Sequence, residues 1–182
     1  VLAIKNFADQ EAALTKVRSS IEATGQAAGF TADELLKVAE GLQKVTTFGD
    51  DQILNDVTRT LLTFTNITGD AFLRAQKIVL DYSASTGKDL NSSALAIGKA
   101  LNSPAQGLAG LSKAGIQFTI QQKKLIDSLV GSGKAAEAQE IIFAQLEQRF
   151  NGTAEALAKV GAGPLLVLKN SISDLLENFG GI

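Results

Sequence analysis

The sequence predicts an all-α protein, a compact, orthogonal multi-helix bundle of about eight to ten helices, with an N-terminal helix of coiled-coil-like pattern. Three observations carry this. Apolar residues recur at steps of three and four along nearly the whole chain. Capping signals precede those periodic runs. Both prolines and most glycines fall between or at the starts of the runs, and no strong alternating strand pattern competes.

Taken in order, residues 2–24 carry Phe7, Leu14 and Ile21 at seven-residue intervals, with Ala3, Gln10, Val17 and Thr24 as a second line between them. That is an a/d seam. Phe7, Leu14, Val17 and Ile21 are the candidate contacts with another copy of the chain; docking of the same helix on its own domain fits the pattern equally. Thr31-Ala-Asp-Glu34 reads as a capping box, followed by Leu35, Val38, Ala39, Leu42 and Val45 as a buried face. Asp50 is an expected N-cap for a helix through about Asn66, with Ile53, Val57, Leu61 and Phe64 on one face, although "TRTLLTFTNIT" is rich in β-branched threonine.

Gly69-Asp70 opens a helix burying Phe72, Ala75, Val79 and Tyr82 and ending at Thr86-Gly87. Asp89 caps the next, with Leu90, Ala94, Ile97 and Leu101 as its stripe. Ser103-Pro104 starts a short helix carrying Leu108 and Leu111, with proline where its missing N–H costs nothing. Thr119-Ile-Gln-Gln122 is a second capping box before Ile120, Leu125, Ile126, Leu129 and Val130. Ala135, Ala138, Ile142, Leu146 and Phe150 form the next stripe, and Thr153 to Val160 a short helix. Pro164 opens the last helix, whose apolar face is Leu165, Leu168, Ile172, Leu175, Leu176 and Phe179. The expected organisation is an N-terminal amphipathic helix over 1–24, a compact helical domain over 25–160 and a C-terminal amphipathic helix over 161–182.

Composition excludes several functions. The chain of 182 residues is 45% apolar with a net charge of −2, ordinary for a globular domain and without the basic surface of a nucleic-acid binder. It holds no cysteine and no histidine, so thiolate nucleophiles, zinc thiolates and Ser-His-Asp or Cys-His arrangements are unavailable within it. No run approaches the ~20 apolar residues of a membrane span. With no methionine, a Val-Leu-Ala-Ile start and a Phe-Gly-Gly-Ile end, the chain is expected to be an ordered piece of a longer polypeptide.

The segment "VGSGKAA" (130–136) invites a phosphate-binding reading. A P-loop is G-x-x-x-x-G-K-[ST] after a buried strand. Here Ser128 stands where the first glycine belongs and Ala135 where the magnesium-binding hydroxyl belongs. The residues fit a bend between helices, with Gly131 ending one helix, Ser132 capping the next and Lys134 exposed in its first turn. The carboxylate groupings Asp50-Asp51, Asp33-Glu34 and Glu137/Glu140 fall at helix starts or on a polar face. "DDQILNDVTRTL" lacks the central glycine and terminal glutamate spacing of an EF-hand. No catalytic, cofactor-binding or metal-binding residue is therefore assigned, and no cofactor is expected.

One longer pattern remains. "GKALNSPAQGLAGL" (98–111), then the "GIQFT" step (115–119), a lysine- and glutamine-rich helix start, and a glutamine-rich helix ending in "RFNG" (149–152) together resemble the tape measure proteins of long-tailed bacteriophages and prophages. Residues 29–72 and "PLLVLKNSISDLLENF" (164–179) are also similar to that family. The resemblance implies a structural, non-enzymatic segment of a very long helical chain. Such a chain lies in the lumen of the tail tube, helps set tail length during assembly and leaves when DNA is ejected. It implies synthesis in the bacterial host cytoplasm and residence in the virion. Implied partners are other copies of itself, three in one arrangement, and the tail tube and tail tip proteins. No specific nucleic acid is implied, and membrane contact only through other regions. The alternatives are a helical scaffold or adaptor domain of another large protein and, further off, an NTPase.

Overall fold

The computed structural model describes the backbone of residues 2–180 and the side chains of residues 7–176 and 178; among the described residues every regular element is helical. The chain runs α1 (Leu2–Ala23), α2 (Ala32–Gln43), a composite α3, α4 (Gly69–Thr86), α5 (Leu90–Asn102), α6 (Pro104–Lys113), α7 (Ile120–Gly131), α8 (Ala135–Phe150), α9 (Thr153–Ala158) and α10 (Gly163–Gly180). Helix α3 joins a first turn, Asp50–Gln52, through a π-helical stretch, Ile53–Thr58, to Arg59–Leu62.

Helix α4 is the centre. It packs against α3, α5, α8 and α9, and Phe72, Ala75, Val79 and Tyr82 along its inner side are fully buried. The stripes Ala94, Ile97 and Leu101 of α5 and Ala138, Ile142 and Leu146 of α8 close on the same core, as their spacing predicts. The Tyr82 and Phe150 rings meet edge to face, 5.2 Å between centroids. Buried Asp81 supplies a cap from elsewhere in the chain: its two carboxylate oxygens accept from the Gly152 and Ala154 amides at the start of α9, at 3.0 and 2.9 Å. Those amides have no partner within so short a helix.

The capping boxes form as the sequence predicts. The Thr31 hydroxyl accepts from the Glu34 amide and Glu34 accepts from the Thr31 amide. Thr119 and Gln122 do the same, and Asp89 accepts from Ser92 at 2.8 Å.

Three expectations need correction. The helix expected over 50–66 stops at Leu62. Gly49, not Asp50, is its N-cap, and Asp50 is buried in the first turn. The following turn is pulled out of helix by Asn66, whose amide groups donate to the Asn102 side-chain and backbone oxygens at 3.1 and 3.0 Å. In α7 only Ile126 is buried, while Ile120 and Leu125 face solvent. Helix α8 shares a core with α7 through Ile126 rather than Leu125. At the ends, α1 packs on α2, α3 and α10, and its Ala13, Val17 and Ile21 belong to the common core, which is the docking on its own domain that its pattern allows. Leu165, Leu168, Ile172 and Leu175 on the apolar face of α10 are turned outward.

Candidate functional site

The loop after α7 was the first candidate. Helix α7 ends in a Schellman motif. Gly133, at φ +78°, takes the left-handed position expected of Gly131. The Gly133 amide donates to the Val130 carbonyl at 3.1 Å and the Lys134 amide to the Leu129 carbonyl at 2.8 Å. The Ser132 amide bonds back to Ser128 at 3.0 Å, and so does its hydroxyl, at 2.9 Å. Ser132 therefore caps nothing ahead of it. A phosphate cradle works by pointing free amides at the anion; here three successive amides are occupied by the helix they terminate. Lys134 pairs with Glu137 at 3.0 Å on the surface.

The carboxylate groupings are each engaged. Glu34 sits in its capping box, where the Thr31 amide and hydroxyl hold its carboxyl below the ordinary range. Asp33 pairs with Arg18 at 3.1 Å. Arg74 reaches across from α4 to Glu140 at 2.7 Å and Glu147 at 3.0 Å, its guanidinium 4.2 Å from the Phe143 ring centroid. Asp50 accepts from Gln10 at 3.0 Å and from the Asp51 amide at 2.8 Å. The Gln43 amide oxygen takes the Asp50 N–H at 2.9 Å and its nitrogen donates to Asp174 at 2.6 Å. Burial raises the Asp50 carboxyl above its usual range, the Gln10 bond opposes this and nearby Asp174 adds to it. Asp51 is raised as well, again by burial. This polar seam ties α1, α2, α3 and α10 together. Among the described residues no group of three or more acidic side chains is placed to hold a metal ion.

The residues of the 98–152 pattern serve packing. A Cβ on Gly98 would enter the Phe64 ring, and one on Gly107 would meet the Ala100 backbone, so these two glycines let α5 and its neighbours close. Pro104, Leu108, Leu111 and Phe118 are buried. Gln139 donates to the Asn66 and Leu101 carbonyls at 2.8 and 2.9 Å, and Arg149 to the Gly115 carbonyl at 2.8 Å. A cleft of about 340 Å³ beside Phe64, Lys99, Asn102 and Gln106 is open and carries one cation.

The candidate contact residues of α1 separate. Val17 and Ile21 are 0% and 6% exposed within the chain's own core, and Leu14 packs against it. Only Phe7 is exposed. Gln10, the polar interruption of the seam, is the donor to Asp50. For Val17 and Ile21 the helix docks on its own domain, which removes them from any surface offered to another copy in this fold.

Exposed aliphatic side chains occur on several helices, Ile120 and Leu125 among them, and are most numerous on α10. Leu165 is 70% exposed, Leu168 55%, Ile172 49% and Leu175 59%. The helix docks through buried Gly163, half-buried Val167, and Asn170 and Asp174, which bond the Thr47 carbonyl and Gln43. Amphipathic spacing found this stripe but not the direction in which it points. No helix of the described residues is long and apolar enough to cross a membrane. Comparison of the chain with protein-family models, curated protein sequences and solved structures found no significant match.

Proposed function

We propose that the chain is a structural helical module of a phage-tail tape measure protein, acting through packing and association rather than chemistry. The supporting observation is the use made of the pattern that resembles that family. Gly98, Pro104, Gly107, Leu108, Leu111, Phe118 and Arg149 are all spent on close approach, burial or a carbonyl bond within the fold. Of these, Gly107 also lines the open cleft beside Lys99, Asn102 and Gln106, whose lining holds a single cation and no carboxylate. Function must be argued from a site rather than a fold, and a pattern of packing residues suits a scaffold. In this reading the module resides in the tail tube lumen of the virion. Its partners are other copies of itself and the tail tube and tail tip proteins, and it leaves during DNA ejection.

In-frame duplication of residues 1–182 in the phage or prophage that encodes them tests the reading. Electron microscopy should show longer tails, by up to about 270 Å where the added residues lie as extended helix at 1.5 Å per residue. An unchanged mean tail length would refute the length-setting role and leave a scaffold or adaptor domain of another large protein.

A further inference from the structure

The loop between α8 and α9 holds the chain's single Asn-Gly pair, Asn151-Gly152. That pair carries a reaction of its own. The glycine nitrogen, unhindered because its residue has no Cβ, gives up its proton to solvent base and attacks the asparagine side-chain carbonyl carbon. A new N–C bond closes a succinimide ring as the C–Nδ2 bond breaks, and the side-chain nitrogen leaves as ammonia. Water then opens the ring at either carbonyl, giving aspartate or isoaspartate. Glycine is not replaceable here. Asn151 at φ −52° and ψ 128° and Gly152 at φ +78° and ψ 5° occupy the two central positions of a type II turn. The second of these needs a positive φ, which glycine adopts without strain. The fold therefore demands the residue that makes the bond labile, and Asn151 itself is exposed to the water and base that the reaction uses.

We propose that Asn151 is a modification site gated by Asp81: conversion to aspartate and isoaspartate is blocked while α9 is docked on α4 and proceeds when α9 comes away. The Gly152 N–H, whose proton must leave, donates to Asp81 Oδ2 at 3.0 Å. Removing that proton sets a nitrogen anion against a carboxylate that is 2% exposed, a like-charge contact in a poorly solvated place. The extended ψ of Asn151 also turns the Gly152 nitrogen out of the plane in which the ring closes. Rotating it back swings the Gly152 and Ala154 amides off Asp81, whose other oxygen holds the Ala154 amide at 2.9 Å. The same rotation parts the Thr153 hydroxyl from the Phe150 carbonyl, which it meets at 2.6 Å. Attack thus requires the start of α9 to undock. The mark it leaves is lasting. Isoaspartate routes the main chain through the former side chain and adds a methylene between residues 151 and 152, so the two amides no longer span to Asp81 together. A chain that has once reacted here is kept open.

Ageing of the 182-residue chain in mildly alkaline buffer, followed by chromatography and mass spectrometry of the tryptic peptide 150–159, reads the gate. The folded chain should convert at least about tenfold more slowly than the same chain in guanidinium chloride. Asp81→Asn should speed conversion of the folded chain by roughly tenfold, as expected when buried amides lose a charged acceptor. Gly107→Ala, which loosens the fold elsewhere, should leave the rate near wild type, because α9 opens locally rather than with the whole domain. Circular dichroism checks the helix content of both variants. Deuterium exchange of the Gly152 and Ala154 amides in the wild-type chain needs no substitution, and both should be protected; it decides the case if Asp81→Asn loses helix content. A folded wild-type chain that converts as fast as the denatured one, or fast exchange at both amides, overturns the proposal. A rate that Asp81→Asn leaves unchanged, or that Gly107→Ala raises equally, overturns the gate at Asp81.

Discussion

Gly107→Ala probes the packing role assigned to the 98–111 pattern. A Cβ at position 107 would run into the Ala100 Cα and come within 2.7 Å of the Lys99 carbonyl oxygen and 2.8 Å of the Ala100 amide nitrogen. All three are backbone atoms of α5 and cannot swing aside, so α5 and α6 must separate. Overpacking of this kind costs about 1–3 kcal/mol. The substitution also gains about 0.5–1 kcal/mol from replacing a helical glycine with alanine. The net loss is then about 0–2.5 kcal/mol, centred near 1 kcal/mol. In a domain of this size, 1 kcal/mol moves Tm by about 2–4 °C. Gly110→Ala is the internal control, because it lies in the same helix with nothing within 4 Å of its Cβ; it should gain about 0.5–1 kcal/mol. Gly98→Ala belongs between them, since the obstruction there is the half-buried Phe64 ring, which can turn away. Thermal unfolding followed by circular dichroism should rank Gly107→Ala below Gly98→Ala, both below wild type, and Gly110→Ala above it. A Gly107→Ala chain as stable as the Gly110→Ala chain would refute the close approach of α5 and α6, and with it the packing account of the pattern.

Three further outcomes follow from the geometry. Asp50→Asn should stabilise the fold at pH 7, by an amount that shrinks as the pH falls toward ~4. Burial raises the folded carboxyl above its unfolded value. Its favourable contribution is thus complete below the unfolded pKa and lost as pH rises through the folded one, and urea denaturation at several pH values reads the sign. Gln139→Ala strands the Asn66 and Leu101 carbonyls and should cost about 1–3 kcal/mol by the same method. Lys134→Ala should leave stability within about 0.5 kcal/mol of wild type, and Mg-ATP should shift Tm of neither protein; a shift lost in the variant would restore the nucleotide reading.

Much of the fold is legible because its determinants are local. Thr31, Asp89 and Thr119 announce their caps by the residue three positions on. The stripes of α4, α5 and α8 are wide enough to name the buried side chains in advance. What escaped depends on partners distant in sequence. The end of α3 at Leu62 is set by Asn66 binding Asn102, 36 positions on. Asp81 and Gln139 look like surface polars on an amphipathic helix, yet they are buried because each satisfies backbone groups about 70 residues away. No period in the sequence encodes such a pairing. The "VGSGKAA" loop was read correctly as a bend, but the left-handed residue is the second glycine, because α7 runs on through Gly131.

The two terminal helices show where periodicity stops being informative. Both carry heptad-like lines, and spacing alone leaves each open between the chain's own core and a partner helix. A stripe specifies that an aliphatic surface will be covered, not what covers it. Here small and β-branched residues of α1, Ala13, Val17 and Ile21, are buried in the common core, and α1 packs on α2, α3 and α10. The polar Gln10 that weakens the seam as a coiled coil has a buried carboxylate waiting for it. Helix α10 packs beside α1 and meets there a polar rim built from Gln43, Thr47 and Asp50. Asn170 and Asp174 match that rim and leucine does not, so the helix docks by its polar edge and its leucines are left outside. The distinguishing mark was present in the sequence: the line in α1 is interrupted by Gln10 and Thr24, whereas from Leu165 to Leu175 every a and d position is leucine or isoleucine.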